Sequence, residues 1–165
     1  MAFDVFLKID NLEGECTDTK HVNWIELISF SHGLSQAGGS QRSDRGAAAG
    51  ERVTHQDFTV VHMLDKASPK LALFCCQGKH MPTVTVELCR ATGDKTKYME
   101  YKMTDVIVSS VRPSGSAKSD EVIPIEEVGF NYGKIEWTYT ETDHKTGKPG
   151  GAVPTFWSTI ENQGG

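Results

Sequence analysis

The sequence predicts a mainly β fold, an antiparallel barrel or sandwich with a single helix on its flank. Segments rich in β-branched and aromatic residues recur along most of the 165 residues, separated by turns that contain Gly, Ser and Asp. Only one segment, near residue 70, has the apolar spacing of a helix. A chain of this length fits one domain with a substantial core, so we predict a single domain over 1–165.

The first half of the chain contains three predicted strand segments. Residues 3–9 open as a strand, and residues 10–20 are polar and lack periodicity, which indicates a loop. Residues 22–35 return to strand character with apolar side chains on both faces, and residues 53–64 form the next strand. Between the last two lies 37–52 (AGGSQRSDRGAAAGER), a long loop that is either a plain surface loop or an arm that orders against a partner.

The helix is predicted between residue 65 and Gly78. Either Asp65 or Ser68 can cap its N-terminus, Pro69 suits the first turn, and Gly78 supplies the stop. Its apolar stripe consists of Leu71, Phe74 and Cys75. A helix of about ten residues is not stable alone, so it must pack on a sheet.

Three further strands follow the helix. Residues 82–90 alternate cleanly, with Val84, Val86 and Leu88 on one face. The stretch KYMEYKMTDVIVSSV (97–111) alternates and then changes phase at Asp105, which predicts a β-bulge there. Residues 121–140, with Val122 in phase, change phase at 131–133, where we predict a kink in one long strand, with a tight hairpin as the alternative. Residues 144–154 have the composition of a Gly/Pro-rich linker to a short final segment around residues 156–157.

Charge and composition exclude several classes of function. A net charge of −5 argues against nucleic-acid binding, which needs a basic face. No apolar run approaches the length that spans a bilayer, so membrane insertion is not expected. The opening MAFDVFLKIDN lacks the features of a signal peptide. We therefore expect cytoplasmic folding, and any export should avoid the general secretory route.

The residues that carry chemistry form no recognisable motif. Among the cysteines (Cys16, Cys75, Cys76, Cys89), the adjacent pair suits neither zinc-ligand spacing nor a disulfide. The six histidines contain no HxH or HExxH pattern, and there is no GxSxG, GxGxxG or phosphate-binding loop. We predict no catalytic residue, no cofactor and no metal site. The remaining enzymatic alternatives are Cys16 paired with His32, or a small hydrolase using Cys16 or Cys89 with a histidine.

Five stretches together resemble one known family. They are FLKIDNLEGE, HQDFTVVHMLDKASPKL, KYMEYKMTDVIVSSV, EEVGFNYGKIEWTYTETD and GKPGG. All are similar to the haemolysin-coregulated protein (Hcp) family, which forms the inner tube of the bacterial type VI secretion system. The resemblance implies a β-barrel of two sheets with a flanking helix, in homohexameric rings that stack into a hollow tube. Strands apolar on both faces fit such a ring, because the second face meets a neighbouring subunit.

The resemblance also implies partners and site residues. The expected partners are a VgrG-type tip spike, a contractile sheath and secreted effectors. The protein would be cytoplasmic before firing and then secreted to the medium or a target cell without a signal peptide. Small side chains at Ser29 and Ser31 would line the lumen and contact effectors. The loop at about 37–52 would reach the next ring, and a C-terminal segment would span about 143–165. The residues of this loop that would contact the next ring are Gln41, Arg42, Asp44, Arg45 and Glu51.

One non-enzymatic alternative remains open beside the tube subunit. A monomeric β-barrel that holds a small ligand would have the same strand pattern. An interior large enough for a ligand would favour that module, and an interior filled by side chains would count against it.

Overall fold

The computed structural model describes residues 3–36, 52–91, 93–120 and 122–165. Within these ranges the chain forms eleven β-strands and one α-helix. In chain order they are β1 (Phe3–Ile9), β2 (Ile25–Leu27), β3 (Ser29–Ser31), β4 (Leu34–Ser35), β5 (Thr54–His55), β6 (Phe58–Met63), α1 (Ser68–Gln77), β7 (Met81–Arg90), β8 (Lys97–Ser114), β9 (Ile125–Thr142), β10 (Pro149–Ser158) and β11 (Gln163–Gly164). Every strand pair in the described ranges is antiparallel, which confirms the predicted fold class.

The strand pairing runs in a circuit. Neighbouring strands follow the order β11–β10–β9–β8–β7–β1–β2, and β6 pairs with both β9 and β3. Only Ile28 separates β2 from β3, and its N–H donates to the carbonyl of Val61 at 2.7 Å. The segment 25–31 thus pairs with β1 at its start and with β6 at its end. This joins the two ends of the curved sheet, as in a barrel, while β10 and β11 extend it outside the circuit.

Apolar side chains fill the inside of the circuit. The predicted inward face of β7 is confirmed, since Val84, Val86 and Leu88 are all buried. The largest fully buried apolar side chains of this core come from seven elements, namely β1, β2, β6, α1, β7, β8 and β9: Leu7, Ile25, Phe58, Leu71, Met81, Met103, Phe130 and Ile135. Burial of a side chain of this kind contributes about 1.5–3 kcal/mol, so this core supplies most of the favourable free energy of folding.

The helix α1 packs against the barrel and ends as predicted. Gly78 has φ +59°, a left-handed conformation that glycine adopts without strain. Leu71 and Phe74 are buried, and Cys75 is half-buried. The predicted capping by Asp65 or Ser68 is wrong, because the N-cap position is Ala67 and no side chain caps it. The Asp65 carboxylate instead accepts from the Ala67 N–H at 2.9 Å and closes the preceding turn. No helix in the described ranges has the length and apolarity needed to cross a membrane.

In both β8 and β9 the buried side chains switch from one set of alternate positions to the other, and the two switches lie at paired positions. Met103 and Val106 are both buried on β8, three residues apart instead of two. Their partners in the ladder are Ile135 and Tyr132, which are also buried and three apart. Asp105 lies at the reversal with φ +53°. Both strands therefore turn over together, and the register across the reversal is unchanged.

Two predictions for these strands have different outcomes. The kink at 131–133 within one long strand is confirmed, since β9 continues through it. The bulge near Asp105 is wrong, because the register shift between the two strands lies between Val108 and Ser110. On β8 the left-handed Asp105 accompanies a change of face without an inserted residue, and the phase of the apolar residues alone does not distinguish this from a bulge.

Three segment boundaries also differ from those predicted. The segment 22–35 is broken into short strands, because it changes pairing partner at Ile28. Residues 149–154, predicted as a linker, belong to β10, which pairs with β9 although nearly all its side chains are exposed. Val122 lies in the turn before β9 and is 94% exposed, so it is not in phase with the strand core.

Candidate functional site

Ser29 and Ser31 lie on the outward face of the short strand β3. Both side chains are exposed, and Phe30 between them points inward. Phe30 stacks on Phe58 with 5.9 Å between ring centroids and contacts Tyr101 at 5.7 Å. This packing fixes which way β3 faces, because rotating the strand would expose an aromatic ring. The two hydroxyl groups therefore belong to a small polar surface that the core holds in place.

The five residues predicted to stack rings lie outside the described residues. They are Gln41, Arg42, Asp44, Arg45 and Glu51. The chain on either side of this segment is paired, since Leu34 faces His55 and Ser35 faces Thr54 in the two-stranded sheet β4–β5. The Gln56 N–H also donates to the carbonyl of Gly33 at 2.9 Å. The described residues on either side of the segment are thus held at one place on the barrel.

A buried tyrosine joins two histidines beside this small sheet. The hydroxyl of Tyr132 lies 2.6 Å from His32 Nε2 and 2.6 Å from His55 Nδ1. Because a hydroxyl donates one hydrogen bond and accepts others, it can serve both rings when one ring donates and the other accepts. Sequence reasoning missed this cluster, since its members lie 77 and 100 residues apart and share no local pattern.

The environment favours the neutral forms of all three groups. Burial lowers the pKa of His32, with the nearby His55 adding to the effect, and burial also lowers the pKa of His55. Burial raises the pKa of Tyr132 well above its usual value, and the charge of Asp57 acts in the same direction. A cluster of neutral hydrogen-bonding groups positions strands and offers no charged acid or base near neutral pH.

The predicted alternatives with a cysteine nucleophile are not supported by the geometry. His32 bonds to Tyr132, whereas Cys16 packs with Phe6 and Cys89, so the structure does not bring His32 and Cys16 together. Cys89 lies 4.0 Å from Nε2 of His21. It is completely buried, and burial together with the charge of Glu87 raises the pKa of its thiol to about 11. A neutral, buried thiol is a poor nucleophile.

His21 itself bridges two carboxylates. Its Nδ1 lies 3.0 Å from Asp18 Oδ1, and its Nε2 lies 2.8 Å from Glu87 Oε2. Lys95 contacts the other oxygen of Asp18 at 2.8 Å, and this hydrogen bond, together with that from His21, holds the pKa of Asp18 well below its usual range. The sequence contains no signal for this network except that His21 and Asp18 lie three residues apart in a polar loop.

The barrel interior leaves no room for the alternative of a small-ligand module. The side chains that meet at its centre, among them Phe58, Phe130 and Met103, are completely buried against one another. A cavity of about 550 Å³ is lined by Trp137, Trp157 and Arg52 and by residues of β4 and β5. It opens to the surface, and its Trp137 wall is the edge of the core.

One row of apolar side chains continues past the core and loses its cover toward β10: Met99 is half-buried against the core, and the next two residues of the row, Tyr139 and Val153, are exposed. Met99, Tyr139 and Val153 are direct partners across β8, β9 and β10. They lie on the same face as the core residues Met103 and Ile135, closer to the start of β8 and the end of β9. Tyr139 is 49% exposed and Val153 is 58% exposed. We call these three residues the uncovered row.

These features of the described residues define a class of protein: a small antiparallel β-barrel with a filled interior, one flanking helix and an uncovered row at one end. A family model described as "Type VI secretion system effector, Hcp" matches residues 6–139. Protein hcp1 of Pseudomonas aeruginosa is 32% identical over 163 residues, which covers 98% of either chain. The chain therefore belongs to the Hcp family of the type VI secretion system.

Solved structures agree with this assignment over the whole described fold. A structure of a type six secretion system protein matches with a TM-score of 0.92 and 35% identity, covering 99% of this chain and 100% of that chain. Hcp1 from Salmonella typhimurium matches with a TM-score of 0.79 and 32% identity, covering 99% of both chains. Identity at this level supports the family as well as the fold.

Proposed function

We propose that this chain is the structural subunit of a type VI secretion tube. Six copies form a ring, and rings stack into a hollow tube. The tube forms in the cytoplasm inside a contractile sheath and is expelled behind a VgrG-type tip spike, without a signal peptide. It carries or stabilises effectors in its lumen. In this tube the chain is a single tube-protein domain, and its segment 37–52 reaches the next ring.

The observation that carries the proposal is the uncovered row. Apolar side chains on the core-facing side of a sheet are normally covered, because each square ångström of apolar surface kept from water is worth about 25 cal/mol. The row leaves about half of the Tyr139 side chain and more than half of Val153 exposed. A neighbouring copy that covers the row supports a ring.

The lumen and stacking residues follow from the same proposal. Ser29 and Ser31 face outward on β3 with small hydroxyl side chains, which suit the wall of a channel that must stay open. Arg42, Arg45 and Asp44 carry charges of both signs and suit ion pairs between stacked rings. Exposed pairs of this kind set register and orientation and contribute about 0.2–1 kcal/mol each.

The test compares two valine substitutions by light scattering and negative-stain electron microscopy. The wild-type protein is expected as an open ring with six times the chain mass of 18.1 kDa. Val153→Asp places a charge in the uncovered row and is expected to shift the population toward monomers. Val122→Asp is the matched control, because Val122 is 94% exposed in the turn at the opposite end of the β8–β9 hairpin.

The outcomes separate the possibilities clearly. Six-fold rings that Val153→Asp disrupts and Val122→Asp preserves would support the proposal. A compact wild-type monomer at high protein concentration would refute the ring. Rings that persist unchanged in a folded Val153→Asp variant would leave hexamer formation intact but reject the uncovered row as its contact surface.

A further inference from the structure

The buried ring of His21 is fixed on every side. It is 3% exposed, stacks on Phe6 with 3.9 Å between ring centroids, and meets Trp24 edge-on at 4.8 Å. Its Nδ1 faces Asp18, whose second oxygen is neutralised by Lys95. A histidine that binds a metal through Nε2 usually has this arrangement, in which Nδ1–H donates to a carboxylate that sets the tautomer. The orientation leaves Nε2 directed toward β7.

Two further donor atoms meet Nε2 at that point. Glu87 and Cys89 are two residues apart on β7 and so share one face of the strand. The Nε2 atom of His21 and a ligand atom from each of these side chains all lie within 4.8 Å of one another. The N–O distance is 2.8 Å, and the N–S distance is 4.0 Å. Lys97 approaches Oε1 of Glu87, the oxygen that does not face His21.

We propose that His21, Glu87 and Cys89 bind one divalent ion of the Zn²⁺ class. Nitrogen, carboxylate and thiolate ligands are the set that zinc takes, at about 2.0–2.1 Å for nitrogen and about 2.3 Å for sulfur. Tetrahedral ligands are then about 3.3–3.7 Å apart. Binding therefore lengthens the N–O distance of 2.8 Å and draws in the sulfur of Cys89, which lies 4.0 Å from Nε2 and within 4.8 Å of the Glu87 oxygen. A water molecule takes the fourth position from the adjoining cavity of about 530 Å³, which His21, Glu87 and Cys89 help to line.

Charge and protons balance at this site. The carboxylate of Glu87 and the thiolate of Cys89 together neutralise the two positive charges of the ion. Binding displaces two protons to solvent: the one on the Cys89 thiol and the one held between Nε2 and Glu87. The pKa of Cys89 is about 11, raised first by burial and then by Glu87, so the thiol is protonated before the ion binds. Ion affinity therefore falls as the pH is lowered.

The bound ion would tie the loop between β1 and β2 to strand β7. His21 belongs to the loop, and the other two ligands belong to the central sheet. The proposed role of the ion is thus structural: it fixes the loop to the sheet and is separate from the ring contacts and from the proposed tube function.

The test uses the whole protein, first freed of metals with a chelator and then titrated with Co²⁺. The expected result is one Co²⁺ per chain with a thiolate-to-cobalt charge-transfer band in the near ultraviolet, which Zn²⁺ abolishes. Cys89→Ala is expected to lose the band. Cys76→Ala is the matched control and should keep it, since Cys76 is exposed on α1. Asp18→Asn should weaken Zn²⁺ binding about 10- to 100-fold through the orientation of His21.

Several results would overturn the proposal. A folded wild-type protein without the charge-transfer band is one, and a band that survives in Cys89→Ala or disappears in Cys76→Ala is another. Circular dichroism checks that each variant is folded. Should Cys89→Ala fail to fold, Glu87→Gln decides, because it keeps the side-chain volume and removes the carboxylate charge. Undiminished Zn²⁺ affinity in Glu87→Gln would reject the site.

Discussion

A single hydroxyl group holds two histidines from different parts of the chain. Tyr132 is 6% exposed, and its oxygen is 2.6 Å from both His32 and His55. Tyr132→Phe keeps the ring and removes the hydroxyl, so two partly buried ring nitrogen atoms lose their partner. We expect the free energy of unfolding to fall by about 1–3 kcal/mol, measured by urea denaturation.

Tyr139→Phe provides the comparison for this substitution. Tyr139 is about half exposed in the single chain, and phenylalanine keeps the apolar ring that the uncovered row would offer to a neighbouring copy, so loss of this hydroxyl should cost little. The expected change is within about 0.5 kcal/mol. Equal stability of Tyr132→Phe and Tyr139→Phe would contradict the role assigned to the buried hydroxyl.

The same cluster makes stability depend on pH. Because burial lowers the pKa of folded His32, the unfolded chain binds a proton there at a higher pH than the folded chain does. Stability from this group is therefore fully present above about pH 6.5 and is lost as the pH falls through the folded pKa. We expect a smaller loss of stability between pH 7.5 and 5.5 in His32→Gln than in the wild type. Urea denaturation at both pH values measures it.

The control for this pH effect is another histidine. His144 is exposed in the turn before β10, so His144→Gln should leave the pH dependence of unfolding as it is in the wild type. A wild-type pH dependence in His32→Gln, or a reduced one in His144→Gln, would reject burial of His32 as the cause.

At the scale of elements, the loop between β1 and β2 is closely packed at Gly14. A Cβ atom there would lie 2.5 Å from the carbonyl oxygen of Trp24 and 2.6 Å from Ile25 Cγ1. Since backbone cannot move aside as a side-chain end can, we expect Gly14→Ala to lower the unfolding free energy by about 1–3 kcal/mol. Gly151→Ala in β10 should change it by no more than about 0.5 kcal/mol, because no atom lies within 4 Å of the added methyl group. A Gly14→Ala variant with the urea midpoint of Gly151→Ala would contradict this packing.

Sequence patterns predicted strands that bury one face and expose the other. They missed strands in which both faces are exposed. β7 was predicted because Val84, Val86 and Leu88 alternate with polar residues and are buried. β10 was missed because its first residues are nearly all exposed, and backbone pairing with β9 alone makes them a strand. The break at Ile28 depends on a change of partner from β1 to β6, which local periodicity does not encode.

The candidate site residues also differ in whether local alternation along the chain reveals them. The outward direction of Ser29 and Ser31 follows from alternation with Phe30, so it was accessible from the sequence. The clusters around Tyr132 and His21 were not accessible, because each is assembled from strands and loops distant in the chain. Polar residues in such clusters look the same in a sequence as residues on an exposed surface.

For the whole molecule, the filled barrel limits how the proposed tube could carry cargo. Side chains occupy the interior of one chain, as the complete burial of Phe58 and Phe130 indicates. In the proposed tube, a passage for effectors would therefore be enclosed between several copies. This requirement connects the uncovered row, which would join copies in one ring, with the segment 37–52, which would join one ring to the next.

Stacking of rings is expected to depend on that segment. Deletion of residues 38–49 removes Arg42, Asp44 and Arg45, so rings should still form while stacks become shorter on electron micrographs at equal protein concentration. The double substitution Arg42→Gln/Arg45→Gln keeps the length and removes two charges. Because exposed ion pairs are screened beyond about 8 Å at physiological ionic strength, added salt should shorten wild-type stacks more than stacks of the double variant. Stacks of wild-type length in the deletion variant would mean that rings join through another surface.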